Sequence, residues 1–180
     1  GGRKLDGAPI HQVQMLHIEG RRVHEHTLDA PMPYPVGGAA SLFQDGLLYL
    51  FGGHAEIGGA GEQSRVAQCF DPVDQSWREI ALMPEAVTGA GVWARQGEIW
   101  LLGGRDPRGS PSRRIHRYDP DRNEWRESRP LSHPRCEFGL FETQGANSRA
   151  LIAVGGVTDT PEPSARTDRL ELTTTLPIYK

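Results

Sequence analysis

The stretch LLYLFGG at residues 47–53 decides the fold, because it recurs along the chain at a fixed interval. An apolar segment closed by two glycines returns as IWLLGG at 99–104 and as LIAVGG at 151–156, and a glycine pair also opens the chain. The second glycines stand at positions 2, 53, 104 and 156, which gives intervals of 51, 51 and 52 residues. A constant period of this length predicts a repeat architecture.

Two further features recur with the same period as the glycine pairs. Phe70-Asp71-Pro72 precedes Trp77, and Tyr118-Asp119-Pro120 precedes Trp125, and in both cases the aromatic residue and the tryptophan are seven positions apart. Segments rich in small residues precede the apolar segments, at 37–43, 89–93 and 138–141. Each repeat therefore predicts four short strands: a small-residue strand, an apolar strand, a strand ending in a turn, and a strand that begins at tryptophan.

Each marker has a physical reason to recur. Paired glycines allow positive φ and close backbone approach where the second strand ends. Asp-Pro favours a turn, because proline fixes φ and aspartate bonds the local backbone. One tryptophan per sheet supplies a large apolar plate for packing against the neighbouring sheet. The markers are Gly52, Gly53, Asp71, Trp77, Gly103, Gly104, Tyr118, Asp119, Trp125, Gly155 and Gly156.

The bulk composition narrows the function classes. Glycine and proline supply 36 of the 180 residues, which disfavours a helical bundle. A net charge of −3 argues against a nucleic-acid-binding domain. No apolar run approaches the 20 residues or so that a membrane span needs. Two cysteines are too few for a secreted disulfide scaffold, which favours a reduced, intracellular setting.

The pattern resembles the kelch repeat of β-propellers, which implies an all-β fold of four-stranded blades. An unrelated β-sandwich with chance glycines is the alternative. The period predicts a partial blade at 1–36, blades at 37–87 and 88–136, and a partial blade at 137–180. These are about 3 to 3.5 blades, and kelch propellers commonly have six, so we expect a piece of a longer propeller. Two copies forming one ring is the second possibility.

Within that family the chain is similar to the BTB-kelch adaptors of cullin-RING ubiquitin ligases. The similarity lies in YDPDRNEW at 118–125, HPRCEFGL at 133–140 and GGVTDT at 155–160. It implies a non-catalytic module that recruits a protein partner, with no cofactor and no bound metal. The cullin would bind BTB and BACK domains, which this segment lacks. No nucleic-acid or membrane partner is expected, and the compartment would be the cytoplasm.

The resemblance also implies a partner-binding face, formed by loops after the glycine pairs and loops leading into the first strands. The positions directly after the pairs are Arg3, His54, Arg105 and Val157. In family members that bind acidic peptides, the residue two positions before the first-strand glycine is often arginine. In this chain that position is assigned to Val36, Val87 and Glu137, and the absence of arginine there disfavours an acidic hairpin as partner. The predicted face consists of His54, Arg105, Asp106, Arg108, His133, Arg135 and Glu137. Loop arginines that only keep the protein soluble are the alternative.

Enzyme functions fit less well. A copper oxidase of the galactose-oxidase type needs a Cys–Tyr pair and two histidines, and neither Cys69 nor Cys136 stands beside a tyrosine in sequence. The HEH motif at 24–26 could bind zinc by ligand type, but its charged surroundings favour a solvated strand. A mutarotase on a sugar-like substrate would need an acid or base such as Glu98, Glu137 or Glu142. Such a propeller enzyme is the alternative function.

Overall fold

The computed structural model describes residues 2, 4–5, 10–57, 60–144, 149–159 and 167–171. Over these residues the chain is all-β, and its strands pair antiparallel throughout. Across the same residues, no helix is long and apolar enough to cross a membrane.

Two sheets have four strands each, hydrogen-bonded in chain order. The first consists of β4 (Ala40–Gln44), β5 (Leu47–Phe51), β8 (Ala67–Asp71) and β9 (Ser76–Glu79). The second consists of β10 (Gly91–Arg95), β11 (Glu98–Leu102), β12 (Ile115–Asp119) and β13 (Glu124–Glu127). Both open with a tight hairpin in which two residues with positive φ join the strands, as type I′ turns require. The four-stranded blade predicted from the repeat is confirmed.

Two smaller sheets flank the complete ones along the chain. β1 (Val13–Glu19) and β2 (Arg22–Leu28) form a hairpin upstream, and most of its side chains are exposed, including the HEH motif. Downstream, β14 (Gly139–Gln144), β15 (Arg149–Val154) and β16 (Thr167–Glu171) form a three-stranded sheet. All four sheets fall within the predicted blade segments, whose boundaries stay a prediction.

One hairpin falls outside the predicted pattern. β6 (His54–Ile57) and β7 (Ala60–Gln63) pair with each other, and β6 also pairs with the short strand β3 (Val36–Gly37). The GGAG sequence at 58–61 suggests a flexible loop here. Residues 58 and 59 lie outside the described residues, but residues 60 and 61 belong to β7, so the expectation was wrong for those two residues. The loop between the second and third strands of this blade contains structure of its own.

The glycine pairs connect consecutive blades. The amide of the second glycine donates to a carbonyl in the segment before the next first strand. These bonds run from Gly2 to Val36 at 3.3 Å, from Gly53 to Val87 at 2.9 Å and from Gly104 to Arg135 at 2.8 Å. Gly53 has a φ of 93°, and a Cβ there would lie 2.8 Å from the oxygen of Gly37. Both conditions exclude side chains, so the glycine pairs are required by geometry.

The tryptophans also connect blades. The indole N–H of Trp77 donates to Ala30 O at 3.0 Å, and that of Trp125 donates to Ala81 O at 2.8 Å. Each indole packs on the aromatic residue of its own repeat, with ring centroids 4.9 Å apart for Phe70–Trp77 and 5.1 Å apart for Tyr118–Trp125. The predicted packing role of these two tryptophans agrees with these contacts.

The cores lie between adjacent sheets. The largest cluster joins the two complete blades and is built from buried residues such as Tyr49, Phe51, Ile99, Leu101 and Tyr118. A second cluster joins the second complete blade to the last sheet, with Trp93 and Trp100 packed against it. Burial raises the pKa of the Tyr118 hydroxyl above its usual range. That hydroxyl donates to Asn123 Oδ1 at 2.9 Å.

Candidate partner-binding face

The loop at residues 105–111 follows the glycine pair of the second complete blade and folds tightly on itself. Asp106 Oδ1 accepts the amides of Arg108 and Ser110, both at 2.9 Å. The backbone closes the same turn, with Asp106 N donating to Ser110 O and Gly109 N donating to Asp106 O, both at 2.9 Å. Residues 107–110 are exposed. The loop therefore presents its tip to solvent in a defined conformation. We call residues 105–111 the recognition loop.

Contacts from both neighbouring blades hold this loop. On one side, Gln63 Nε2 at the end of the β6–β7 hairpin donates to Asp106 O at 2.7 Å. On the other side, Arg105 Nε donates to Glu137 Oε1 at 2.9 Å, and Arg105 Nη1 reaches back to Gly109 O at 3.0 Å. A single loop is thus fixed by residues from three successive blades.

The Arg105–Glu137 ion pair influences both of its members. Its hydrogen bond lowers the pKa of the Glu137 carboxyl and raises that of the Arg105 guanidinium. The Glu137 side chain is 53% exposed and the Arg105 side chain is 29% exposed. Glu137 is therefore ionised at neutral pH and accessible from solvent.

A cleft of about 330 Å³ opens beside the recognition loop. Its lining residues are Glu85, Asp106, Pro107, Arg108, Ser112 and Arg114. Glu85 lies between two cationic or hydrogen-bonding partners: Oε2 is 2.7 Å from Arg114 Nη1, and Oε1 is 3.1 Å from His116 Nε2. His116 itself is buried. Sequence reasoning missed Glu85 and His116, because their partners lie 29 and 31 positions away.

The structure brings together four of the seven residues predicted for the face. Arg105, Asp106, Arg108 and Glu137 belong to the recognition loop or brace it. The remaining residues lie on other segments. His54 begins β6 and pairs with Gly37, and His133 is exposed in the segment before β14. Arg3 lies outside the described residues.

Arg135 does not lie on the surface. It is only 1% exposed, and its Nη1 donates to Gly155 O in the next glycine pair. Because its side chain is enclosed at the junction between blades, Arg135 cannot meet a partner directly. The predicted face therefore loses this residue.

The register assigned to Glu137 was also wrong, by two residues. The carbonyls of Val36, Val87 and Arg135 accept the equivalent glycine amides, so these three positions correspond. Glu137 instead corresponds to Gly38 and Gly89, and all three have φ between 56° and 69°. The sequence alignment relied on Gly139, which does not adopt positive φ. One of the three positions is therefore an arginine, Arg135, but this arginine is buried. The position therefore gives no argument for or against an acidic partner.

The residues considered for catalysis do not converge. Glu98 pairs with Arg117 at 3.3 Å, Glu137 pairs with Arg105, and Glu142 accepts the Trp93 indole N–H at 3.2 Å. Within the part of the chain that the structure describes, no group of three or more His, Cys, Asp or Glu residues could hold a metal ion.

The cysteines lie in separate blades. Cys69 is on β8, opposite Tyr49, and Cys136 precedes β14. Both are buried free thiols, and burial raises the pKa of each.

Comparison with known proteins identifies the class that this fold defines. The family model described as the Kelch motif matches residues 35–84 and 86–132. The chain therefore belongs to the kelch-repeat family, and the predicted β-propeller class is confirmed.

Among curated proteins, the chain is similar to kelch-like proteins. Human Kelch-like protein 23 is 34% identical over 104 residues, which are 57% of this chain and 17% of that protein. Human Kelch-like protein 34 is 30% identical over 142 residues, 78% of this chain and 21% of that protein. This chain spans about a fifth of the length of these relatives.

The fold is also found among solved structures. The structure of YjhT superposes with a TM-score of 0.68 at 15% sequence identity. The match covers 81% of this chain and 51% of that one. The shared fold thus extends over about half of the solved chain.

Proposed function

We propose that this chain is a protein-recognition module whose binding face is the recognition loop and the adjoining cleft. One observation carries the proposal: the loop is braced from both neighbouring blades, yet its tip is left exposed. Fixing a loop in advance reduces the entropy lost on binding, which is a common property of recognition surfaces. Functional residues in rigid scaffolds are often placed on such loops.

The cleft lining carries two acidic and two basic side chains, and it is the exposed Arg108 guanidinium that favours a partner presenting a carboxylate. Both Glu85 oxygens are engaged, and Asp106 Oδ1 already accepts two amides. Among the described residues no ion pair or hydrogen bond engages the Arg108 guanidinium, and the Arg114 side chain remains 57% exposed. Guanidinium groups bind carboxylates through strong, directional hydrogen bonds. An acidic segment of a protein is therefore the ligand we propose.

At the level of the whole protein, we propose the substrate-recruiting part of a BTB-kelch ubiquitin-ligase adaptor in the cytoplasm. The similarity to kelch-like proteins supports this role. The cullin would be bound by other domains of such an adaptor. The blades would form part of a ring, commonly of six blades in kelch propellers.

A charge-reversal experiment tests the proposed face. Arg108→Glu places an acidic group at the loop tip, and Arg122→Glu makes the same change in the β12–β13 turn, at the opposite end of the sheet. The tagged full-length protein and its two variants are purified from cells, and bound proteins are quantified by mass spectrometry. The affinity of the recovered partner is then measured by calorimetry with purified components.

We expect Arg108→Glu to lower partner affinity at least tenfold and Arg122→Glu to leave it unchanged. Equal affinity for the wild type and Arg108→Glu would exclude this face. Recovery of a cullin with the protein would support the adaptor role, and a binding partner without any cullin would argue for recognition in another setting.

A further inference from the structure

Glu137 occupies a backbone position that the two complete blades give to glycine. Its φ is 56°, beside 69° for Gly38 and 59° for Gly89. The three residues form a hydrogen-bonded series across consecutive blades, in which Gly89 N donates to Gly38 O at 3.4 Å and Glu137 N donates to Gly89 O at 2.7 Å. Left-handed backbone is unfavourable for a residue with a side chain. The other four such residues that the structure describes lie in turns between consecutive strands, and outside turns this conformation clusters at functional sites.

Burial does not account for the Glu137 side chain. More than half of it is exposed, so it contributes little to the apolar core. Its Cγ would lie 2.9 Å from a Cβ at Gly89, so the neighbouring blade leaves room for it only because that position is glycine. The carboxylate instead makes one specific contact, the bond from Arg105 Nε.

That contact extends into the recognition loop. Arg105 uses a second nitrogen, Nη1, to bind the carbonyl of Gly109 near the loop tip. The Glu137 carboxylate therefore orients the guanidinium that closes the loop, although it belongs to the next blade. Loss of the carboxylate would leave Arg105 free to turn away from Gly109.

We infer that Glu137 is a positioning residue for the recognition loop, and that this chain accepts an unfavourable backbone conformation to keep the loop in its binding shape. The inference rests on the proposed function. An exposed ion pair contributes little to stability, so the contact fixes geometry more than it stabilises the fold. Replacing Glu137 by glycine should therefore raise the stability of the fold and reduce the order of the loop.

Three variants of the protein separate these effects. Glu137→Gly removes both the unfavourable conformation and the carboxylate. Glu137→Gln keeps the backbone conformation and removes the charge. The control is Gln96→Gly, because Gln96 also has positive φ, at 52°, but lies exposed in the β10–β11 turn at the other end of the sheet. The readouts are the urea midpoint of unfolding and the hydrogen exchange of the amides of residues 108–110.

We expect Glu137→Gly and Gln96→Gly both to raise the urea midpoint. Only Glu137→Gly should accelerate exchange of the loop amides, by at least fivefold. Glu137→Gln should accelerate the same exchange without raising the midpoint. A purely structural role would lower the midpoint in Glu137→Gly. That result, or unchanged loop exchange in this variant, would overturn the inference.

Partner binding distinguishes a failure of this inference from a failure of the proposed function. With the partner recovered above, Glu137→Gly should weaken binding at least threefold. If Arg108→Glu weakens binding but Glu137→Gly does not, the face is correct and the positioning role is wrong. If neither variant changes affinity, the proposed face itself is wrong, whatever the exchange data show.

Discussion

Replacing Trp125 by phenylalanine tests whether the repeat tryptophan connects blades by a hydrogen bond as well as by packing. The indole N–H donates to Ala81 O at 2.8 Å, and the ring meets Phe51 edge-on with centroids 5.4 Å apart. Phenylalanine keeps an aromatic ring but removes the donor and part of the volume. Loss of a partly buried hydrogen bond costs about 1 kcal/mol, and the space left by the smaller ring adds about 1 kcal/mol more.

The matched control is Trp100→Phe. Trp100 packs against the core, and within the described residues its buried indole N–H has no hydrogen-bond partner. The smaller ring again costs about 1 kcal/mol in lost packing and stacks less well on Arg117, but removing the unpaired donor relieves a desolvation penalty of about the same size. We expect a change of no more than about 0.5 kcal/mol.

Equilibrium urea denaturation of both variants measures the difference. Trp125→Phe should lower the free energy of unfolding by about 2 kcal/mol, with the urea dependence unchanged. If Trp100→Phe were as destabilising as Trp125→Phe, ring size alone would explain both results. The proposed hydrogen bond between blades would then contribute nothing measurable.

Three further predictions concern the glycine pairs, the ion pair and the thiols. Gly104→Ala should lower the free energy of unfolding by about 3 kcal/mol in urea denaturation, because its φ is 92° and a Cβ would lie 2.3 Å from a side chain of the adjoining segment. The control Gly97→Ala, where φ is 80° and a Cβ would meet no atom within 4 Å, should lower it by about 1 kcal/mol. Arg105→Gln should raise the pKa of Glu137 in a ¹³C NMR titration, because the bond that lowers it is lost. In the wild type this bond stabilises the folded protein at pH values above the pKa that Glu137 has in the unfolded chain. That contribution disappears as the pH falls through the lower pKa that Glu137 has in the folded protein. Both cysteines should resist iodoacetamide at pH 7.5 until urea unfolds the chain, as mass spectrometry would show, because each thiol is buried with a raised pKa.

The repeat was readable from the sequence because each of its markers answers a local geometric requirement. Gly53 must accept positive φ and a neighbouring carbonyl at close range, and no other residue type does so. Trp77 and Trp125 must bridge sheets, which only a large ring with a donor can do at this position. Such requirements make the same residue types recur at a fixed interval along the sequence.

The binding face was only partly readable, because its geometry depends on contacts between distant segments. Glu137 takes a glycine position, so alignment on the nearby Gly139 shifted the register by two residues. Burial of Arg135 depends on the next glycine pair, and Glu85 meets His116 only when two segments of the chain pack together. No local sequence pattern predicts these contacts between distant residues.

Photo-crosslinking from the tip of the recognition loop tests the central claim most directly. A benzophenone-bearing amino acid replaces Ser110, which is exposed at the loop tip, in one sample and Arg122, in the β12–β13 turn, in the other. After irradiation in cell extract, adducts are identified by mass spectrometry. The proposed face predicts a covalent adduct with the protein partner from position 110 and none from position 122. Crosslinks to the partner from position 122 alone would place the binding face at the opposite end of the blades and contradict the account.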